Sequence, residues 1–228
     1  IATAAFADTY DLNKGSVTVE TKENGITYVT QLDNTQKDGY ARNDKDDILH
    51  DYQDKTGVTI TSYGKQTENT ITVDTAKDQT TDVTLKDVHI ETEGSWNNTG
   101  SAPIEIKGDG DTNLELNGDN TVLSGDRHHA AIEKADKNGT GTLTIKDDLN
   151  DDNSTPKDKD ENGNAVGGDT GKLLAGGYGD GAGIGGGYND ITDLSYANTS
   201  NITIKGGEIT ARGGCEDGAG IGGGTYGN

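Results

Sequence analysis

Short stretches in which apolar and polar residues alternate dominate this chain: Ser16-Val-Thr-Val-Glu20, Gly25-Ile-Thr-Tyr-Val-Thr30 and, from Gly57 to the end, a long series of Val/Ile/Thr-rich segments. A period of two puts successive side chains on opposite faces of a strand, so each stretch predicts a half-buried β-strand. The first two flank Lys22-Glu-Asn-Gly25, a turn sequence, and predict a β-hairpin. Residues 33–57 are polar and acidic without a period and predict loop or a decorated cap. No helix longer than two turns is expected anywhere.

The strands recur in a fixed order. The last unit reads Asn201-Ile-Thr-Ile-Lys205, Glu208-Ile-Thr-Ala-Arg212, then Gly218-Ala-Gly-Ile-Gly-Gly-Gly224, with Gly-Gly pairs at 206–207 and 213–214. Earlier units follow the same order: Val83-Thr-Leu85, Val88-His-Ile90 and Ala102-Pro-Ile104; Leu114-Glu-Leu116, Val122-Leu-Ser124 and Ala130-Ala-Ile132; Leu143-Thr-Ile145, Leu173-Leu-Ala175 and Gly181-Ala-Gly-Ile-Gly-Gly-Gly187. First strands advance by 31 residues from Leu85 to Leu116 and by 29 to Ile145. A repeat near 30 residues with three strands each predicts an all-β right-handed parallel β-helix, or β-solenoid, of about four recognisable coils, in which each unit buries its apolar side only against its neighbours. The third unit carries an acidic insert over 147–170. The expected organisation is a cap region with the hairpin over 8–66 and the repeat region over 67–228.

Alternation assigns the inward faces. Leu85, Leu116, Ile145 and Ile204 are expected to stack on one wall, Val88, Val122, Leu173 and Ile209 on a second, and Ile104, Ile132, Ile184 and Ile221 on a third. Thr84, Glu115, Thr144 and Thr203 then point outward on the first wall, and Leu123 and Leu174 on the second, between His89 and Thr210.

Composition agrees with a thin core. Of 228 residues only 29% are hydrophobic and 35 are glycine, and the mean hydropathy is −0.79. A formal net charge of −21 argues against nucleic acid and anionic membranes, both of which call for a basic surface. No apolar run is long enough to cross a bilayer. Ala5-x-Ala7 before Asp8 has the small-x-small form of a signal-peptidase site, so residues 1–7 are read as the remnant of an export signal and the protein as secreted or cell-surface. The single Cys215 excludes an intramolecular disulfide.

The string Ile-Thr-Ile-x-Gly-Gly-x-Ile-x-Ala-x-Gly-Gly over 202–214, followed by Ala-Gly-Ile-Gly-Gly-Gly over 219–224, resembles the glycine-rich right-handed β-helix repeats of surface proteins from Gram-positive gut bacteria. More loosely it is similar to the calcium-containing, carbohydrate-binding β-helix family. The resemblance covers roughly 82–224 and implies architecture; its motif residues are core and corner residues, so no binding residue is carried over.

Candidate chemistry falls in three places. In the insert, Asp158, Asp160, Asn162 and Asp169 have the spacing of a D-x-D-x-N-G calcium loop, with Gly163 at the bend and Asp rather than Glu at the twelfth position. Loops between second and third strands occupy equivalent places in successive units and are expected to stack along one edge carrying Trp96, Arg127, His128 and Tyr178, a surface for stacking a sugar or anchoring a protein. Leu123 and Leu174 form an exposed apolar pair unless the insert folds over them. No carboxylate pair or metal-plus-base set emerges from the outward positions, so the expected function is a non-catalytic binding or adhesion module for extracellular glycans. The alternative is capture of a host secreted protein such as immunoglobulin, and the third reading is a polysaccharide lyase or hydrolase. Because the chain stops after a glycine corner with no polar capping element, self-association end to end, or further coils beyond Asn228, is also expected.

Overall fold

The structure is a computed structural model; it describes residues 8–32, 48–54, 57–94, 100–150, 156–188 and 194–227. The fold is all β. Among the described residues the helical pieces are single 3-10 turns at Leu12–Lys14, Asp136–Asn138 and Leu194–Tyr196.

Three sheets carry the core. The first consists of β1 (Asp8–Asp11), β5 (Val58–Thr61), β8 (Thr80–Lys86), β11 (Asp111–Asn117), β14 (Leu143–Lys146) and β19 (Ile202–Ile204), all parallel. The second consists of β6 (Gln66–Thr67), β9 (His89–Glu91), β12 (Asp119–Leu123), β17 (Lys172–Gly176) and β20 (Glu208–Arg212), again parallel. In the third, β2 (Val17–Thr21), β7 (Ile71–Thr75), β10 (Ile104–Lys107), β13 (Ile132–Glu133), β18 (Ile184–Gly185) and β21 (Ile221–Gly222) run parallel. At its edge β3 (Thr27–Leu32) and β4 (Ile48–Asp54) add antiparallel strands. From β5 onward the chain visits the first, second and third sheets in that order, five times over.

The β2–β3 hairpin forms around Lys22–Gly25 as the sequence predicts. The segment expected as loop or cap instead contains β4, whose backbone pairs with β3. The expected signal remnant lies outside the described residues.

Register separates the three walls. On the third sheet Val17, Ile71, Ile104, Ile132, Ile184 and Ile221 form one continuous row, containing the four residues expected to stack there. On the first sheet the expected row splits in two. Ile145 lies beside Leu114 in the row Val58, Val83, Leu114, Ile145, Ile204, while Leu116 pairs with Leu85 and Leu85 with Ile60. The 29-residue step is therefore a 31-residue step, fixed at the preceding corner. There Asp109 Oδ1 accepts the Thr140 N–H at 2.9 Å and Asp111 Oδ1 the Thr142 N–H at 3.1 Å, each 31 residues on. A shift of two leaves every side chain on its original face, so the residues stay buried although their neighbours change. The second wall is likewise displaced: Val122 pairs with Ile90 and Ala175, not with Val88 and Leu173. Asn120 takes the place beside Leu173, buried, with its Oδ1 accepting the Val88 N–H and its amide donating to the Asn117 and Lys172 carbonyls.

At the other end β19, β20 and β21 each pair on one side only, and Ile204 and Ile221 are 42% and 46% exposed.

The insert forms a small antiparallel hairpin, β15 (Asp158–Lys159) and β16 (Ala165–Val166). It leans on the outer face of the first sheet, where the Leu149 N–H donates to Glu115 at 2.7 Å and the buried Lys157 Nζ lies 2.7 Å from Asp147. The expected outward row on this sheet also splits, Thr84 lying beside Glu115 and Thr144 beside Asn113 and Thr203.

Candidate ligand-binding edge

The described residues that lead from the second to the third sheet are 68–70, 92–94 with 100–103, 124–131, 177–183 and 213–220. These corners stack, as the equivalence of the loops predicts. The Gly125 N–H donates to Thr92 Oγ1 at 3.1 Å, the Asp180 N–H to Arg127 O at 2.9 Å and the Glu216 N–H to Gly179 O at 2.9 Å. Approach is close enough that a Cβ on Gly125 would lie 2.2 Å from Thr92 O, and one on Gly181 2.2 Å from His129 O. Glycine is required there by space, since the obstacle is backbone.

Three of the polar residues on this edge hold it together. Arg127 Nε donates to the buried Asp180 at 2.9 Å, and its Nη2 pairs with Glu216 one loop further on. The Asp180 hydrogen bond raises the guanidinium pKa still further, although partial burial opposes it, so the group stays cationic. Asp126 is buried and accepts the His128 N–H at 2.8 Å and the Gly100 N–H at 3.0 Å. His129 Nδ1 lies 2.8 Å from Glu133. Burial is the largest influence on this imidazole and disfavours its charge, but the Glu133 hydrogen bond and the charges of Glu133, Asp126 and Glu105 together carry its pKa above the ordinary histidine value.

The His128 ring stacks on Tyr188 with centroids 5.4 Å apart and planes inclined by 19°, and Tyr188 in turn meets Tyr226 at 6.3 Å. Tyr178 is 38% exposed. Trp96 lies outside the described residues. Leu123 and Leu174 are both half-buried and stand two positions apart in register, Leu123 beside Gly176 and Leu174 beside Thr121 and Thr210. A Cβ on Gly176 would meet Leu123 Cδ2 at 2.9 Å, so this leucine lies over the next strand rather than forming an exposed apolar pair with Leu174.

The edge continues, one unit before the first that the repeats reveal, into a cleft of about 760 Å³. Its lining includes Asn13, Ser16, Gln66, Glu68, Thr70, Glu93 and Ser101. The floor is ordered by side chain to backbone bonds: Ser16 Oγ accepts the Thr70 N–H at 3.0 Å and the Asn69 amide donates to Leu12 O at 2.6 Å. Gln66, Glu68, Glu93 and Ser101 are exposed above it. Amides, hydroxyls and carboxylates arranged around a concave space match the donors and acceptors of a sugar's hydroxyl groups. A smaller hollow of about 480 Å³ beside the β2–β3 turn is less apt, because its Lys22 is already engaged with Glu20 at 3.6 Å and the Tyr28 ring at 4.7 Å.

Within the loop that has calcium-loop spacing, Asp160 is bonded to its own turn. Asp160 Oδ1 accepts the Asn162 and Asn164 N–H groups at 2.9 and 2.8 Å, and Oδ2 the Asn164 amide at 3.1 Å. These bonds, the Asn164 backbone first, hold its carboxyl below the usual carboxylate range. Asp158 is an exposed strand residue paired with Val166, and Asp169 is exposed beyond the hairpin. Among the described residues no group of three His, Cys, Asp or Glu is placed to hold a metal ion.

Comparison with protein-family models, with curated proteins and with solved structures finds no match.

Proposed function

We propose that this chain is a right-handed parallel β-helix from a secreted or surface protein of a bacterium and acts as a non-catalytic glycan-binding module, with the 760 Å³ corner cleft as its site. The strand order supports the architecture: three sheets visited in turn, each strand parallel to its counterpart one unit on, with the right hand following from the strong preference of parallel crossovers. The extracellular placement follows from the small-x-small sequence before Asp8.

The cleft carries the functional reading. It combines an ordered floor with exposed amide, hydroxyl and carboxylate groups on Gln66, Ser101, Glu68 and Glu93, and the loops further along the same edge are held by Arg127, Asp126 and Glu133. The histidine-rich corner is used structurally, since His128 is covered by Tyr188 and His129 by Glu133. Glu115, the one outward carboxylate among the first-wall positions singled out, is buried beneath the insert. Capture of a host protein such as immunoglobulin is less well supported, because Leu123 and Leu174 form no exposed patch.

An immobilised glycan panel probed with the wild type and with Ser101→Trp, which fills the cleft from its exposed rim, tests the site. Retention by at least one glycan that is lost in the variant supports it. Retention unaffected by the variant places binding elsewhere, and turnover of any oligosaccharide overturns the non-catalytic assignment.

A further inference from the structure

Among the described residues, the charged side chains that line the cleft are both acidic. Glu68 and Glu93 are exposed at its walls, and neither has an ion-pair partner among the described residues. Among the described residues no Lys, Arg or His lines it; the nearest cations along the chain, Lys14 and Lys65, lie outside the lining. The remaining groups, including Asn13, Ser16, Gln66 and Ser101, are neutral donors and acceptors. The whole chain adds a formal charge of −21 to the same sign.

From this charge pattern we infer that the cleft selects glycans bearing free amino groups, the ammonium sitting between Glu68 and Glu93 while the amides and hydroxyls bind the ring hydroxyls. This rests on the glycan-binding reading above and names its substrate class. A uronate or sulfated sugar would bring a like charge against two unneutralised carboxylates in a concave site that focuses their field, which disfavours both encounter and binding. A neutral sugar gains the hydrogen bonds but leaves both carboxylates without a counter-charge. An ammonium satisfies them with charge-assisted bonds, the stronger kind.

The test uses isothermal titration with three tetrasaccharides: β-1,4-linked glucosamine, its fully N-acetylated form, and galacturonate. The expected order is glucosamine tightest, by roughly tenfold over the acetylated form from two partly exposed ion pairs, with galacturonate not binding. Because a strongly acidic protein attracts any cation, two double variants of equal charge are compared. Glu68→Gln with Glu93→Gln is expected to bring the glucosamine and acetylated forms to parity. Asp158→Asn with Glu161→Gln, on the distant insert, is expected to leave the preference intact. Equal losses in both double variants would mean long-range attraction only and overturn the inference. A wild type that binds the acetylated form as tightly as glucosamine overturns the selectivity while leaving glycan binding in place. Binding of none of the three, with an empty glycan panel, removes the glycan reading and the inference with it.

Discussion

Nδ1 of His129 lies 2.8 Å from Oε2 of Glu133, four residues along the same corner. Glu133 also accepts the Ala130 N–H, so the pair closes the turn leading into the third wall. Because the histidine pKa is raised on folding, its contribution to stability is fully present below the unfolded value of 6.5 and is lost as pH rises through the higher folded value. Urea denaturation is expected to show Glu133→Gln destabilising the protein more at about pH 6 than at about pH 9. An equal loss at both would mean that the charge of His129 contributes nothing.

Glu115 gives the same pH direction from a different cause. Burial raises its pKa despite the Leu149 N–H and Lys146, and among the described residues its Oε2 has no hydrogen-bond partner. Folding then favours the protonated form, and stability falls as pH rises through the folded pKa. Glu115→Gln, which keeps an acceptor for Leu149, is expected to raise the thermal midpoint at about pH 7 and to have little effect near pH 4, about the unfolded value for Glu. A fall at neutral pH would show that the Lys146 contact at 3.9 Å outweighs desolvation.

Gly125→Ala is expected to destabilise by about 1–3 kcal/mol, since its methyl must displace the Thr92 carbonyl of the adjacent loop. Gly94→Ala provides the contrast, its nearest obstacle being Gly125 O at an ordinary 3.4 Å. Similar effects in chemical denaturation would contradict close stacking of the corners.

The insert separates two uses of Asp160. As the residue that closes the β15–β16 turn, its carboxylate acts without metal, and its depressed pKa means that the contribution is present above the unfolded value of 3.8 and lost as pH falls through the folded one. Proteolysis within 156–170 is therefore expected to speed up in Asp160→Ala whether or not calcium is present. A calcium-dependent rise in thermal midpoint, abolished by Asp158→Ala with Asp160→Ala, would instead show that the spacing of Asp158, Asp160, Asn162 and Asp169 does assemble a site.

Much of the parallel strand pattern was legible because it rests on parity. Ile104, Ile132, Ile184 and Ile221 stack as read, since each stands in the same place relative to its own corner. Ile145 and Val122 lie on the expected face beside a different neighbour, because a period-two pattern is unchanged by a shift of two; the bonds that accompany the shift, at Asp109 and Asp111 before Ile145 and between Asn120 and the Val88 N–H beside Val122, are polar and leave no mark in the apolar pattern. β4 was missed because an antiparallel edge strand needs no apolar row. The cleft was missed for a related reason. Gln66-Thr-Glu-Asn-Thr70 has no apolar signature, and its equivalence to the later corner loops emerges only from the pairing of β6 with β9. Its amide and hydroxyl content was the signal available.

Hydrogen exchange with and without saturating β-1,4-glucosamine tetrasaccharide tests the central claim most directly. Slowed exchange of amides in 12–16 and 66–70, with 158–166 and 202–212 unchanged, is the predicted result. Protection at the insert or along the second wall around Leu123 and Leu174, with none at 66–70, would contradict the cleft as the binding site.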